Sequence, residues 1–252
     1  MKWIIVGLGY ISKRHIDAIE ATGGKVVATC DIEERKKLQD YDFYHDFSTL
    51  LERNDADAVA ICTTNHLHVP MALEAVKFGK KVMCEKPIGL SSEEVKKLPK
   101  EVSAMLQLRY HPVLEEIEIK ESKRYKVEMN ISVKRDQSYW DSWKGDQRRS
   151  GGILFNIGIH YFDLLILLFG NEYHVVDSFV SDRTANGYIW FKNADVKFRL
   201  AITSDYSSRS LSIDGSHMNL SKEDNLSSED LHTAAYREFV KGNGIPISEA
   251  LK

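Results

Sequence analysis

Three stretches of this sequence carry side chains whose types and spacing suit chemistry. In residues 150–170, SGGILFNIGIHYFDLLILLFG, a run apolar enough for a buried helix is broken by Asn156, His160 and Asp163 at spacings of four and three. On an α-helix that spacing brings all three to one face. A buried polar group without a partner costs roughly 1–3 kcal/mol. The stripe is therefore either a polar site cut into a core or a partly solvated helix edge. In Gly7-Leu8-Gly9-Tyr10-Ile11-Ser12, two glycines follow an apolar run and lead into helical spacing. The first permits a tight turn, the second lets backbone approach a pyrophosphate, and the helix start offers free N–H groups and a positive dipole end. Ser12 replaces the third glycine of that fingerprint with another small residue. In Glu85-Lys86-Pro87, an acid and an amine stand where an apolar run ends, as a surface turn or as the rim of a cleft.

These residues need elements to hold them, and the two halves of the chain have different rhythms. In the first half, apolar runs at 2–6, 25–30, 57–62, 81–84 and 104–108 predict strands, and 11–21, 70–78 and 93–97 predict helices. Strand–helix alternation with apolar strands implies a parallel sheet covered on both faces. Residues 125–134 then alternate apolar and polar side chains, the period of a half-exposed strand. Further strands are predicted at 175–180, 187–191, 196–203 and 210–213, with Asp214-Gly215 as a hairpin turn into 218–220. The expected fold class is α/β: an N-terminal Rossmann, doubly wound parallel sheet over residues 1–108, and a C-terminal α+β domain with an open, mostly antiparallel sheet over 109–252. In this frame Gly7, Gly9, Tyr10 and Ile11 form the cofactor turn. Asp31 ends the second strand, where a carboxylate accepts hydrogen bonds from an adenosine ribose. That acid favours NAD over NADP, because it repels a 2′-phosphate, although Arg35 and Lys36 stand close by. Thr63 and Asn65, then His68, follow a strand at its carboxyl end, the edge where ligands bind in such sheets. Glu85 and Lys86 leave the next strand at the same edge.

Composition narrows the function classes. At 252 residues with a formal charge of −3 the chain has enough length for its own core and gives no support for nucleic-acid or acidic-membrane binding. Cys30, Cys62 and Cys84 are odd in number and form no CxxC pair, so they read as core residues of a reduced, cytoplasmic protein rather than as disulfide or zinc ligands. No metal site is expected. No uninterrupted apolar run reaches the ~18 residues of a membrane span, and a strand that begins right after Met1 leaves no room for a signal peptide.

The matching pieces GLGYISKRH, TTNHLHVPMALEAVKFGKKVMCEKP and SGGILFNIGIHYFD resemble the glucose–fructose oxidoreductase/inositol dehydrogenase family. The likeness is greatest to its UDP-N-acetylglucosaminuronate 3-dehydrogenase branch, through AMLQLRYHP (104–112), SWKGDQRRS (142–150), NIGIHYFD (156–163) and DLHTAAY (230–236). The resemblance implies a Rossmann domain plus an open-sheet α/β domain, assembly as a homo-oligomer (dimer or tetramer), and NAD-dependent oxidation of the 3-hydroxyl of a UDP-sugar for surface polysaccharide. It implies Lys86 and His160 as the catalytic pair, with either as the base. Asn156 is then expected to orient the sugar or the imidazole. Asp163 either fixes the His160 tautomer or bonds backbone. Glu85 either meets the nicotinamide ribose or ends a strand, and Pro87 follows a cis peptide. Lys144, in the Trp-Lys-Gly-Asp segment, and Arg109 are candidate substrate contacts, while Arg148 and Arg149 read better as a solvated basic loop. The chain departs from relatives in its shorter length, its stop at Lys252 and Thr64 in place of a proline. Two other readings stand beside this one: a family dehydrogenase of a free sugar, cyclitol or other sugar nucleotide, and a catalytically silent NAD-binding regulator.

Overall fold

The computed structural model describes residues 1–250, apart from Lys37, Gln39 and 222–229, and without the side chain of Arg35. It divides into two compact units, Met1–Gln107 with Glu229–Leu251, and Leu108–Ser228 with Lys252. The expected assignment of the whole of 109–252 to the second domain is thus corrected at its end: the last helix returns to the first unit.

The first unit holds β1 (Lys2–Val6), α1 (Ser12–Ala21), β2 (Lys25–Cys30), β3 (Asp42–Tyr44), α2 (Phe47–Leu51), β4 (Ala58–Ile61), α3 (His68–Lys77), β5 (Lys81–Cys84), α4 (Ser92–Val95) and β6 (Val102–Ala104). All strands run parallel in the order β3-β2-β1-β4-β5-β6. The order reverses between β1 and β4, which opens a crevice beyond the carboxyl ends of those strands. β4 is buried at every residue, as expected of a strand covered on both faces. The expected strand at 104–108 lies earlier, at Val102–Ala104, and Gln107–Tyr110 forms a 3-10 turn instead.

The second unit contains β7 (Tyr125–Lys134), α5 (Gln137–Asp141), α6 (Gln147–Ser150), α7 (Ile159–Phe169), β8 (Tyr173–Val180), β9 (Thr184–Phe191), β10 (Ala194–Thr203), β11 (Ser208–Ile213) and β12 (Ser216–Asn219). Its sheet runs β12-β11-β7-β10-β9-β8, with only the central β7–β10 pair parallel. The β11–β12 turn carries Asp214 at φ 51 and Gly215 at φ 84, the left-handed pair that an Asp-Gly hairpin needs. One face of β7, β9 and β10 is buried by alternate residues, among them Met129, Ile131, Ile189, Phe191, Phe198 and Leu200. Phe162 of α7 meets Phe198 edge to face at 5.2 Å.

The expected single-faced stripe on the polar helix is corrected. Leu154–Gly158 is a π-helical turn ahead of α7. The α spacing therefore does not hold between Asn156 and His160, and it holds between His160 and Asp163. The run Gln147–Phe169, 23 residues, is long and apolar enough to cross a membrane by length and composition, against expectation; half of its most apolar window is buried in the protein, and core helices meet the same test.

After the second unit, α8 (Leu231–Lys241) and α9 (Ile247–Ala250) complete the first. Leu231, His232, Ala235, Tyr236 and Phe239 form the buried face of α8. Trp3 of β1 packs on Tyr236 at 5.1 Å and on Phe239 at 5.2 Å, and Ser103 bridges to Pro246. Burying a side chain of this size is worth about 1.5–3 kcal/mol, which is why this segment joins the first unit.

Gly158 marks the closest approach of the π turn to the sheet. A Cβ there would stand 2.7 Å from Phe162 Cε2 and 2.8 Å from Leu200 Cδ1. Gly158→Val is expected to destabilise the protein by about 1–3 kcal/mol through overpacking, read as a lower urea midpoint with an unchanged slope.

Candidate functional site

The carboxyl edge of the parallel sheet gathers most of the expected cofactor residues. Gly7 follows β1 with φ +87, and a Cβ there would lie 2.7 Å from the backbone carbonyl of Cys62. Only glycine lets the turn pass so close to the end of β4. A Cβ on Gly9 would meet nothing within 4 Å. Ser12 is buried, and its hydroxyl donates to Gly9 O at 2.7 Å, so the residue in place of the third glycine fastens the turn to the helix. Asp31 Oδ2 accepts the Leu8 N–H at 2.7 Å, its Oδ1 accepts the Glu33 N–H at 3.0 Å, and Lys36 Nζ stands 3.4 Å away. The Arg35 side chain, weighed with Lys36 in the sequence, lies outside the described residues.

Beyond β4, Thr63 is half-buried and donates to Met71 Sδ at 3.5 Å, while Asn65 is buried at the start of the turn Asn65–Leu67. His68, expected beside the cofactor, is fully buried. Its Nδ1 lies 2.7 Å from Pro87 O and its Nε2 3.1 Å from Thr63 O. Burial lowers its pKa, and each ring nitrogen faces a backbone carbonyl. His68 thus ties the segment after β4 to the segment after β5. The Lys86–Pro87 bond is cis, and Lys86 is half-buried.

Glu85, weighed as a ribose contact or as a strand end, directly follows β5. Its carboxylate turns into the unit. Oε1 accepts from His15 Nε2 at 2.8 Å and stands 3.8 Å from His232 Nε2, while Oε2 accepts the Lys86 N–H at 3.1 Å. Burial alone would raise its pKa, but His15 and His232 outweigh this and hold it well below the ordinary carboxylate range. Burial opposes a charge on His15, yet Cys62 and Glu85 raise its pKa from 6.5 to about 9. The paired charges therefore stabilise the fold in a window. Glu85 contributes above its unfolded value of 4.5, and this is lost as pH falls toward the folded pKa. His15 contributes fully below 6.5, and this is lost as pH rises through about 9.

In the second unit, Arg109 and Asp163 form a bidentate pair, Nε to Oδ2 at 2.9 Å and Nη2 to Oδ1 at 2.7 Å, with both side chains 9% exposed. Arg109 had been expected to contact substrate, and Asp163 to fix the His160 tautomer or bond backbone. In the structure they bond each other, which fastens the segment after Leu108 to α7. Asn156 Nδ2 donates to Tyr139 Oη at 2.7 Å. His160 is buried. Lys144 is half-buried, and burial and then the charge of Arg135 lower its pKa, so an anion beside it would be favoured. Arg148 and Arg149 are exposed, but they lie on α6 rather than in the expected loop.

Sequence reasoning missed His15, His232 and Tyr236. The signal was faint: His15 lies within the GLGYISKRH piece and the other two within DLHTAAY, but no spacing links them. With Glu85, His15 and His232 bring donor atoms within 4.8 Å of one another.

Residues 1–107 match the family model described as oxidoreductase family, NAD-binding Rossmann fold, and residues 113–234 its C-terminal alpha/beta domain. The WlbA (WbpB) dehydrogenase of Thermus thermophilus, solved in complex with NAD and UDP-GlcNAcA, is 31% identical with a TM-score of 0.87 over 100% of this chain and 91% of that one. The chain belongs to this oxidoreductase family. Curated relatives match over shorter segments. The 2,7-anhydro-N-acetylneuraminate hydratase of Mediterraneibacter gnavus is 35% identical over 36% of this chain and 26% of its own length. Inositol 2-dehydrogenase of Salmonella typhimurium is 31% identical over 37% and 31%. The chain thus spans about a quarter to a third of those two relatives.

As in the family, the first unit is an NAD-binding Rossmann domain, and its residues fit the dinucleotide. The space beyond Gly9 is open to phosphate. The Asp31 carboxylate has about four acceptor positions and retains capacity for a ribose diol. Tyr10 and Ile32, 85% and 86% exposed, offer apolar surface beside the turn and the acid.

The Arg109–Asp163 pair gives a test of its own. Asp163→Asn removes the carboxylate charge from a buried bidentate pair and is expected to cost about 3–5 kcal/mol, measured by chemical denaturation.

Proposed function

We propose that this family member is an NAD-dependent dehydrogenase that oxidises the 3-hydroxyl of a UDP-N-acetylglucosaminuronate-type sugar nucleotide to the 3-keto sugar. The observation that carries this reading is the 31% identity, along the whole chain, to a dehydrogenase whose structure holds NAD and UDP-GlcNAcA. NAD, when bound, supplies the hydride acceptor. Lys86 then hydrogen-bonds the reacting hydroxyl and shares removal of its proton with His160, each a group whose charge state a neighbouring cation or burial can tune. Asn156, held by Tyr139, orients the sugar. Lys144, poorly solvated and next to Arg135, takes an anionic group of the substrate. The apolar side chains exposed on β8 and β9, among them Val175, Phe179 and Trp190, support assembly as a homo-oligomer. Three buried free thiols support a reducing, cytoplasmic setting.

The match to inositol 2-dehydrogenase favours a second reading, oxidation of a cyclitol or free sugar. Incubation with NAD and a panel of UDP-sugars, inositol and glucose, with products identified by mass, separates the two. Activity on UDP-N-acetylglucosaminuronate alone supports the proposal, and activity on inositol alone overturns it. Lys86→Ala is expected to lower turnover by about 10²-fold or more while NAD affinity, measured by fluorescence titration, changes little. Near-normal turnover in that variant removes the role given to Lys86.

A further inference from the structure

The residue proposed as the catalytic amine sits at the end of a buried polar chain that begins on α8. Tyr236 of α8 is fully buried, and its hydroxyl lies 2.7 Å from His15 Nδ1. The other ring nitrogen of His15, also fully buried, donates to Glu85 Oε1 at 2.8 Å. The second oxygen of Glu85 accepts the backbone N–H of Lys86 at 3.1 Å. As an imidazolium, His15 donates in both directions, and all three side chains have one geometry that satisfies them. His232 supports the same arrangement from α8. Its ring packs edge to face on His15 at 5.5 Å, its backbone N–H donates to the Asp230 cap at 3.2 Å, and Arg14 of α1 stands 3.8 Å from that cap. On the other side of Lys86, His68 holds Pro87 O.

We propose that Tyr236, His15 and Glu85 are positioning residues for Lys86, so that the C-terminal helix is part of the mounting of the reactive amine rather than only a cover for the sheet. The proposal rests on the role given to Lys86 above. Two features on the page separate it from simple packing. The chain of hydrogen bonds ends on the main chain of Lys86 itself, not on a neighbour. And the Tyr236 hydroxyl adds a 2.7 Å contact to His15 Nδ1 beyond the packing of its ring on Trp3 and His15. Displacing a catalytic group by about 1 Å can cost about 10²-fold in rate, so a rigid backing for Lys86 has an effect that stability alone would not reveal. The titratable groups that face the pair are Cys62 beyond β4, Cys84 on β5, His68 on α3, and His232 and Tyr236 on α8. The charged form of the pair persists across neutral pH, because Glu85 titrates low and His15 high.

The test compares the wild-type protein with Tyr236→Phe, His15→Leu and His15→Gln. Tyr236→Phe keeps the ring, and His15→Gln keeps a donor toward Glu85. Trace labelling of the full-length protein with acetic anhydride across a pH series, read by peptide mass, gives the reactivity of the Lys86 amine without any substrate. Exposed Lys13 serves as internal reference. Tyr236→Phe and His15→Leu are expected to change Lys86 reactivity at least about threefold and to shift its pH profile, with the Lys13 profile unchanged and His15→Gln restoring most of the wild-type behaviour. On an active substrate, kcat falls about tenfold or more in the first two variants while KM and NAD affinity stay within about threefold. Identical Lys86 profiles in wild type, Tyr236→Phe and His15→Leu overturn the proposal. So does a stoichiometric transition metal in the purified protein, which would make His15, Glu85 and His232 its ligands instead of a proton-linked chain. If no substrate of the panel turns over, the functional reading fails, and the labelling experiment still decides whether α8 positions Lys86.

Discussion

A carboxylate buried at the end of a parallel strand is the constraint on which the first unit is arranged. An ionised acid taken out of water is costly unless its charge and its lone pairs are met. Glu85 meets that demand with His15 from α1, His232 from α8 and the amide of the next residue. These partners come from distant parts of the chain, so satisfying one side chain closes the unit: α1 and α8 are drawn to the same point beneath the carboxyl edge of the sheet. The glycine turn, Asp31 and the segment beyond β4 line the same edge because the strand order reverses between β1 and β4.

The second unit solves a related problem in a different way. A very apolar helix must cover one face of an open sheet and still carry polar groups. The π turn at Leu154–Gly158 widens the helix where Gly158 lies against Leu200 and Phe162. It also gives Asn156 a direction of its own toward Tyr139. Asp163 is neutralised by Arg109, and His160 is buried beside it on the same helix. The other face of the sheet keeps Tyr188 and Trp190 exposed on β9 and every residue of β8 exposed.

Much of this organisation was legible from residue order. β1, β2, β5 and β7 have the bounds that apolar runs and alternation predict, because a strand buried on both faces or on one leaves a direct pattern in sequence. The glycine turn, Asp31 and the strand-end acid and lysine were legible because turn geometry and dinucleotide recognition demand particular residue types at fixed offsets. Less was legible where the determinant is not periodic. β3 and α2 are three and five residues long, too short for a periodic signal. The π turn cannot be told from an α-helix by apolar content. The return of α8 to the first unit depends on Trp3, Tyr236 and Phe239 meeting across the whole chain.

The sequence by itself determined the alternation of strands and helices, the dinucleotide turn, the acid after β2, the hairpin at Asp214-Gly215 and the residue types available for chemistry, since each follows from local backbone preference and side-chain pattern. Only the tertiary structure decided what each polar side chain does. Arg109 and Asp163 neutralise each other, His68 clamps two loops, and Glu85 turns inward to His15. A buried charge or imidazole is spent on whichever partner the fold brings within about 3 Å, and that partner is set by long-range packing to which local spacing is blind.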